Sequence, residues 1–176
     1  YDANFASQEA GFVGSVLKQY GLDSDMPVFY DLEKWSWTGH TPPTSPAVYE
    51  QIVRAFFTKL QSLGYNNLHV YSYTSYLDSA LNSSYIHDRA SWAAQYYSKL
   101  EYQITATSGV KGWQYSSSGS IPGIAGAVDM NAFSPMQYWR DRMGLFGFID
   151  VTTATPHYED IGWLKEAGIS TGWADG

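Results

Sequence analysis

Residues 27–35 read PVFYDLEKW. Val28, Phe29 and Tyr30 are strand formers, and the run ends in two carboxylates, Asp31 and Glu33, two places apart. On a strand, residues i and i+2 point to the same face, so both carboxylates would enter one pocket. Like charges held close cannot both ionise easily, and one of them keeps its proton to higher pH. The protonated one can serve as a general acid, and the ionised one can stabilise positive charge. Glycoside hydrolysis needs that division of labour, because its transition state resembles an oxocarbenium ion. A strand end whose two carboxylates simply reach water would show the same spacing.

Working outward, residues 3–20 have apolar side chains near helical spacing (Phe5, Phe12, Val13, Val16, Leu17), with Gly21 placed to end the helix. After a polar loop, Thr44 or Ser45 and Pro46 signal a second helix, whose apolar face is Val48, Ile52, Ala55, Phe56 and Leu60 and whose end is Gly64. NLHVYSY predicts the next strand, residues 74–90 a short helical stretch, and SWAAQYY, GVKGWQYSS and GAVDMNAF three more strands. Strands alternating with helices at these intervals predict an α/β fold with βαβ units and a parallel sheet. Asp31, Glu33, Tyr71, Tyr96, Gln114 and Asp129 gather at strand C-terminal ends, where a (β/α) barrel builds its active site. Taken singly, Asp129 suits a turn or cap as well as a site. Tyr71, Trp92, Trp113 and Gln114 suit core packing.

The whole chain narrows the choice. It has 176 residues and a net charge of −7 without a basic run, which argues against a nucleic-acid binder. Cysteine is absent, so disulfides and thiolate metal sites are excluded. His40, His69, His87 and His157 show no metal-binding spacing. SSSGSIPGIAG lacks the Gly-Lys-Ser/Thr of a phosphate loop, and no serine has a nucleophile-elbow context. No apolar run approaches the length of a membrane span. The 15 Tyr and 7 Trp can be core, and they can also be flat platforms for sugars.

PVFYDLE, LHVYSY, SWAAQY and GWQYSSSGSIPGIAGAVDMNAF, in this order and spacing, resemble glycoside hydrolase family 25, the Chalaropsis-type lysozymes, over residues 5–133. The last block is the most specific. The resemblance implies the C-terminal part of a flattened (β/α) TIM-like barrel without metal or cofactor. It implies an N-acetylmuramidase that cuts the β-1,4 bond between N-acetylmuramic acid and N-acetylglucosamine with retention. Glu33 matches the family's general acid, Asp31 the residue that assists attack by the substrate's own acetamido group, and Asp129 a third active-site carboxylate. Tyr71, Trp92, Trp113 and Gln114 match positions lining the sugar groove. Peptidoglycan glycan strands would be the partner, and the setting would be extracellular or cell-wall associated.

The family begins with a strand carrying a further Asp, in a G-x-D-V/I-S-like segment, followed by two more strands. The chain opens after that region, so the polypeptide alone is expected to be unstable or inactive. A non-catalytic wall- or carbohydrate-binding protein is the alternative. A chitinase-type site would need D-x-x-D-x-D-x-E, and Asp25 does not stand at that spacing. The expected organisation is a barrel portion over 1–135, a linker over 136–147 and a small helical module over 148–176. That tail resembles part of an S-layer homology module, which implies attachment to a cell-wall polymer.

Overall fold

Asp2 starts the first helix. Its carboxylate accepts the Asn4 and Phe5 N–H groups at 2.8 and 3.0 Å, satisfying donors that the first turn cannot. Helix α1 then runs Ala3–Gln19. It stops where Gly21 turns left-handed (φ 63°), with Gly21 N–H on the Lys18 carbonyl and Leu22 N–H on that of Leu17. Helix α2, Pro46–Ser62, ends in the same pattern at Gly64, where Tyr65 N–H reaches the Leu60 carbonyl. The buried residues of α1 are small: Ala6, Ala10 and Gly14, four apart on one stripe. A Cβ on Gly14 would fall 2.4 Å from Leu63 Cδ1, so the chain after α2 packs closely there.

The computed structural model describes residues 2–36, 38–134 and 155–169 and forms two compact units, Tyr1–Ala132 and Phe133–Gly176. A mixed α/β sheet of five strands carries the site: β1 Val28–Asp31, β2 Leu68–Tyr73, β3 Ala90–Ala94, β4 Lys111–Gly119 and β5 Val128–Ser134. They lie in chain order, and β1 to β4 are parallel neighbours. The sheet is a curled half-barrel, part of a barrel-like fold.

Only the first crossover is a full βαβ unit, through α2. Residues 74–90 do not form one helical stretch. They form two single turns, α3 Thr74–Leu77 and α4 Ser84–His87. Ser79, Asn82 and Ser83 lie between them, and such residues favour turns and caps over helix interiors. The SWAAQYY strand is shorter than expected and ends at Ala94. Gln95 turns the chain away: its amide oxygen accepts the N–H groups of Glu101 and Tyr102 at 2.7 and 3.2 Å. Residues 120–127, between β4 and β5, are too few for a parallel crossover, so β5 folds back beside β4.

The core is built where α2 covers the sheet. Ile52, Val53, Phe56, Phe57 and Leu60 pack with Val70, Leu77, Leu81, Ile86 and Ala93. Tyr30 belongs to this side. Its ring stacks on Phe56 with centroids 3.8 Å apart, and its hydroxyl donates to Glu9 Oε2 at 3.0 Å. Since β1 alternates, Phe29 and Asp31 face the other way.

The second unit contains helix α5, Tyr158–Glu166. It ends at Gly168 (φ 67°), where Ile169 N–H reaches the Leu164 carbonyl. The proposed linker over 136–147 and both ends of the tail, 148–154 and 170–176, lie outside the described residues. Among the described residues no helix is long and apolar enough to cross a membrane.

The stacking of Tyr30 on Phe56 gives a stability prediction. Phe56→Ala should lower unfolding free energy by about 3–5 kcal/mol, as removal of a buried aromatic does. The measurement is the shift in urea midpoint. A loss near zero would mean that this contact does not anchor β1.

Candidate active site

Asp31 pairs with Tyr71 across the β1–β2 ladder. Phe29, Asp31, His69 and Tyr71 therefore share one face of the sheet. Below the carboxylate that face is aromatic. Phe29 stacks on His69 at 5.0 Å and meets Trp92 edge-on at 5.2 Å, and Tyr71 lies 4.6 Å from Trp92.

β1 ends at Asp31, so Glu33 is not a strand residue, as PVFYDLE had suggested. The backbone nevertheless stays in line for one residue more. Leu32 N–H donates to the Tyr71 carbonyl at 3.0 Å, and Ser72 Oγ donates to the Leu32 carbonyl at 2.5 Å. Glu33 follows at once, close enough for its charge to act on the Tyr71 hydroxyl. The Lys34 backbone and the Tyr73 hydroxyl are close enough to influence each other, and burial raises that hydroxyl above the ordinary phenol range.

The electrostatics follow from this crowding. Asp31 still meets solvent, yet burial, then the charge of Glu33, push its carboxyl up to about 6. Burial raises the Tyr71 hydroxyl well above the ordinary phenol range, helped by Glu33, Tyr96 and Asp31. A recess of about 170 Å³ opens beside the pair, lined by Glu9, Tyr30, Asp31, Leu32, Glu33, Trp35 and Tyr49.

On the far side of Tyr71 stands Gln114. Its Oε1 accepts the hydroxyls of Tyr71 at 3.0 Å and Tyr96 at 2.7 Å. Trp92 donates its indole N–H to Asn131 Oδ1 on β5 at 3.1 Å. Asp129 stands two residues before Asn131 and so shares its face of β5, with its side chain in solvent. Trp113 goes elsewhere. Alternation puts it on the opposite side of β4 from Gln114, where its indole N–H donates to the Gln95 carbonyl at 2.7 Å and its ring meets Tyr115.

Asp31, Glu33, Tyr71, Trp92 and Gln114 thus form one connected cluster. Asp129 is related to it through its strand neighbour Asn131, and Trp113 does not face it. Tyr96, expected at the C-terminal ends of the strands, joins the cluster through Gln114, and Tyr73 and Asn131 join it without having been picked out as site residues. Asn131 had a signal, since it stands two places after Asp129, where a strand returns to the same face.

Among the described residues no three His, Asp or Glu side chains come together as a metal site. His69 is instead a satisfied interior residue. Its Nε2 lies 2.7 Å from Asn67 Oδ1 and its Nδ1 3.1 Å from Ser91 Oγ. Asn67 Oδ1 can only accept, so Nε2 carries the proton and Ser91 donates to Nδ1. Burial pushes the imidazole down to about 4, which keeps this neutral form.

Asp31 gives a pH prediction. Its folded-state value, about 6, lies above its ordinary value of 3.8, so the folded chain binds the extra proton between these limits. Its contribution is full below about pH 4 and is lost as pH rises through 6. His69 acts in the opposite sense, since its value is lowered, and stability from that group rises with pH from about 4 to 6.5. The difference between parent and Asp31→Asn isolates the first term. The variant should gain stability relative to the parent as pH rises from 4 to 7, followed by urea unfolding at each pH. A difference that stays flat would contradict the crowding of Asp31.

Residues 1–124 match the model of the glycosyl hydrolases family 25, a stretch that ends before Asp129. The modular autolysin LytC from Streptococcus pneumoniae, solved alone and with a synthetic peptidoglycan ligand, is similar in structure, with a TM-score of 0.71 at 30% identity. That similarity covers 76% of this chain and 31% of LytC. The spore cortex lytic enzyme SleM from Clostridium perfringens shares the fold at a TM-score of 0.57 and 17% identity, over 74% of this chain and 45% of SleM. The chain therefore spans less than half the length of either solved protein. No curated protein matches it. With a family model covering most of its length, and two acidic side chains gathered at the C-terminal end of parallel strands, the chain belongs to glycosyl hydrolase family 25.

Proposed function

We propose that this domain hydrolyses peptidoglycan, at the β-1,4 bond between N-acetylmuramic acid and N-acetylglucosamine. The observation that carries the reading is the gathering of Asp31 and Glu33 around Tyr71, where β1 and β2 end, in a family 25 domain. Glu33 gives its proton to the glycosidic oxygen as the bond to the anomeric carbon breaks. The acetamido oxygen of the substrate closes on that carbon from the opposite face. Asp31, which its raised value leaves ionised only above about pH 6, then accepts the acetamido N–H and balances the positive charge that develops on the ring so formed. Water then adds from the face the leaving group vacated, with Glu33 taking its proton, and the configuration is retained.

The half-buried Trp92 ring, backed by Tyr71 at 4.6 Å, is proposed as an apolar platform for a sugar face. The structure of LytC with a synthetic peptidoglycan ligand supports this substrate class. Asp129 is proposed to complete the acidic site from β5. Residues 148–176 are proposed to attach the protein to a cell-wall polymer, which with this substrate places it outside the cell or at its wall.

Clearing of a peptidoglycan suspension tests the reading. Glu33→Gln should slow clearing at least about 100-fold, the usual contribution of a general acid. Equal clearing by parent and variant would remove Glu33 from that role, and parent binding without clearing would favour the non-catalytic wall-binding alternative. Asp31 must be ionised to act, so kcat/KM on soluble glycan should fall as pH drops through about 6. A profile flat through that range would mean that Asp31 is not required as an anion.

A further inference from the structure

A groove of about 650 Å³ lies beside the loop that carries Glu33. It is lined by Lys34, Pro42, Pro43 and Thr44 from the loop after β1, and by Tyr73 and Tyr76 from the end of β2 and from α3. The groove thus opens at the same end of the sheet as the acidic pair. Glu33 and Trp35 line the smaller recess at Asp31, whereas Lys34, between them in sequence, lines the groove.

The lining has a definite chemistry. Tyr76 is buried, and its ring stacks on that of Tyr73 with centroids 5.3 Å apart. Its hydroxyl is taken up by that of Tyr49 at 2.5 Å, so the two rings offer the groove apolar surface. Proline has no N–H to donate, and Pro42 and Pro43 extend that surface. Among the described residues of the lining, Lys34 alone is charged. The side-chain ion pairs among the described residues are Glu50–Arg54 and His157–Asp160, and neither involves it. An anion with a partly apolar body suits such a wall. Small-molecule sites span about 300–1,000 Å³, so the groove takes more than a lone carboxylate.

The reading of this domain as a peptidoglycan hydrolase supplies such a group, and the inference rests on that reading. Every second sugar of the glycan is N-acetylmuramic acid, and one stands at the bond to be cut. Its lactyl ether carries a short peptide with free carboxylates. We propose that the Lys34 groove holds this peptide, with the ammonium on one of its carboxylates and its apolar side chains against Tyr73, Pro42 and Pro43. Thr44 and Ser75 add hydroxyls for the peptide backbone. Lys34 is then a specificity-determining residue, which selects strands that bear peptides and takes no part in cutting the bond.

NMR titration of the 176-residue chain tests the proposal. The ligand is the disaccharide N-acetylglucosaminyl-N-acetylmuramic acid, which lacks the bond to be cut. It is offered with an alanyl-glutamyl-lysyl peptide, with the same peptide after amidation of its carboxylates, and without peptide. The acidic peptide form should bind about threefold to fivefold more tightly than the amidated one, the scale of a solvent-exposed ion pair. Lys34→Met should abolish that preference, and Lys34→Arg should keep it. Thr44→Phe narrows the groove and should bring all three forms to the affinity of the peptide-free one. Lys34 and Thr44 are both exposed, so these substitutions leave the core intact.

Equal affinity for the acidic and amidated peptides, or a preference that survives Lys34→Met, would overturn the proposal. So would a loss in Lys34→Met confined to the peptide-free form, whose lactyl carboxylate would then be the partner. Binding of no form at all would overturn the proposal together with the substrate reading. Binding that ignores the peptide, with clearing still lost in Glu33→Gln, would overturn the proposal alone.

Discussion

The stacking of Tyr30 on Phe56 decides which way β1 faces, and the site depends on that choice. A slip of one residue would turn Tyr30 and Leu32 toward the sugar side and drive Asp31 and Glu33 into the layer beneath α2. Both alternatives are unfavourable. The slipped strand would expose a large aromatic ring and would bury two carboxylates among Phe56, Phe57 and Leu60, where no cation meets them. The apolar and the acidic residues of PVFYDLE therefore specify the same register from opposite sides. The hydrogen bonds on either side of Leu32 carry that register past the end of the strand, which is why Glu33 still arrives beside Tyr71.

Among the described residues, neutral groups rather than arginines lie against the two carboxylates so placed. An arginine in contact would hold both in the ionised form and would work against an acid role. Arg54 and Arg89 are instead stacked on the two sides of Tyr85, 3.6 and 3.7 Å from its centroid. Beside Asp31 and Glu33 stands the Tyr71 phenol, hydrogen-bonded in turn to the neutral Gln114 amide. Burial and mutual repulsion are then free to act on the pair, and Asp31 registers both.

The parts of this arrangement that were legible in the sequence are those set by local periodicity. The D-x-E spacing needs only the two-residue repeat of a strand. Helix α2 needs only its apolar stripe between Pro46 and Gly64. Long-range partners were not legible. Nothing near Ala94 announces that Gln95 will cap the N–H groups of Glu101 and Tyr102 and so end β3. The family resemblance puts both Trp113 and Gln114 along the sugar groove, although the strand repeat sends them to opposite faces. The side of β4 that each would take depends on register with β3, which is set by the pairing of Ala94 with Gln114. The family resemblance supplied roles that no spacing could, and geometry then separated residues that the resemblance treats alike.

The residue type at 114 follows from the same constraint. Tyr71 and Tyr96 bring two hydroxyl donors to one largely enclosed point. Leucine there would remove the acceptor from both, and for the buried Tyr71 an unsatisfied donor is destabilising. Glutamate would accept both but would add another negative charge beside Asp31 and Glu33. Lysine or arginine could not accept from either phenol. Glutamine is a neutral acceptor of the right reach, and its amide oxygen has the two lone pairs that two hydroxyls require. The acidic pair is thereby bounded by a group that takes protons in hydrogen bonds without competing to ionise.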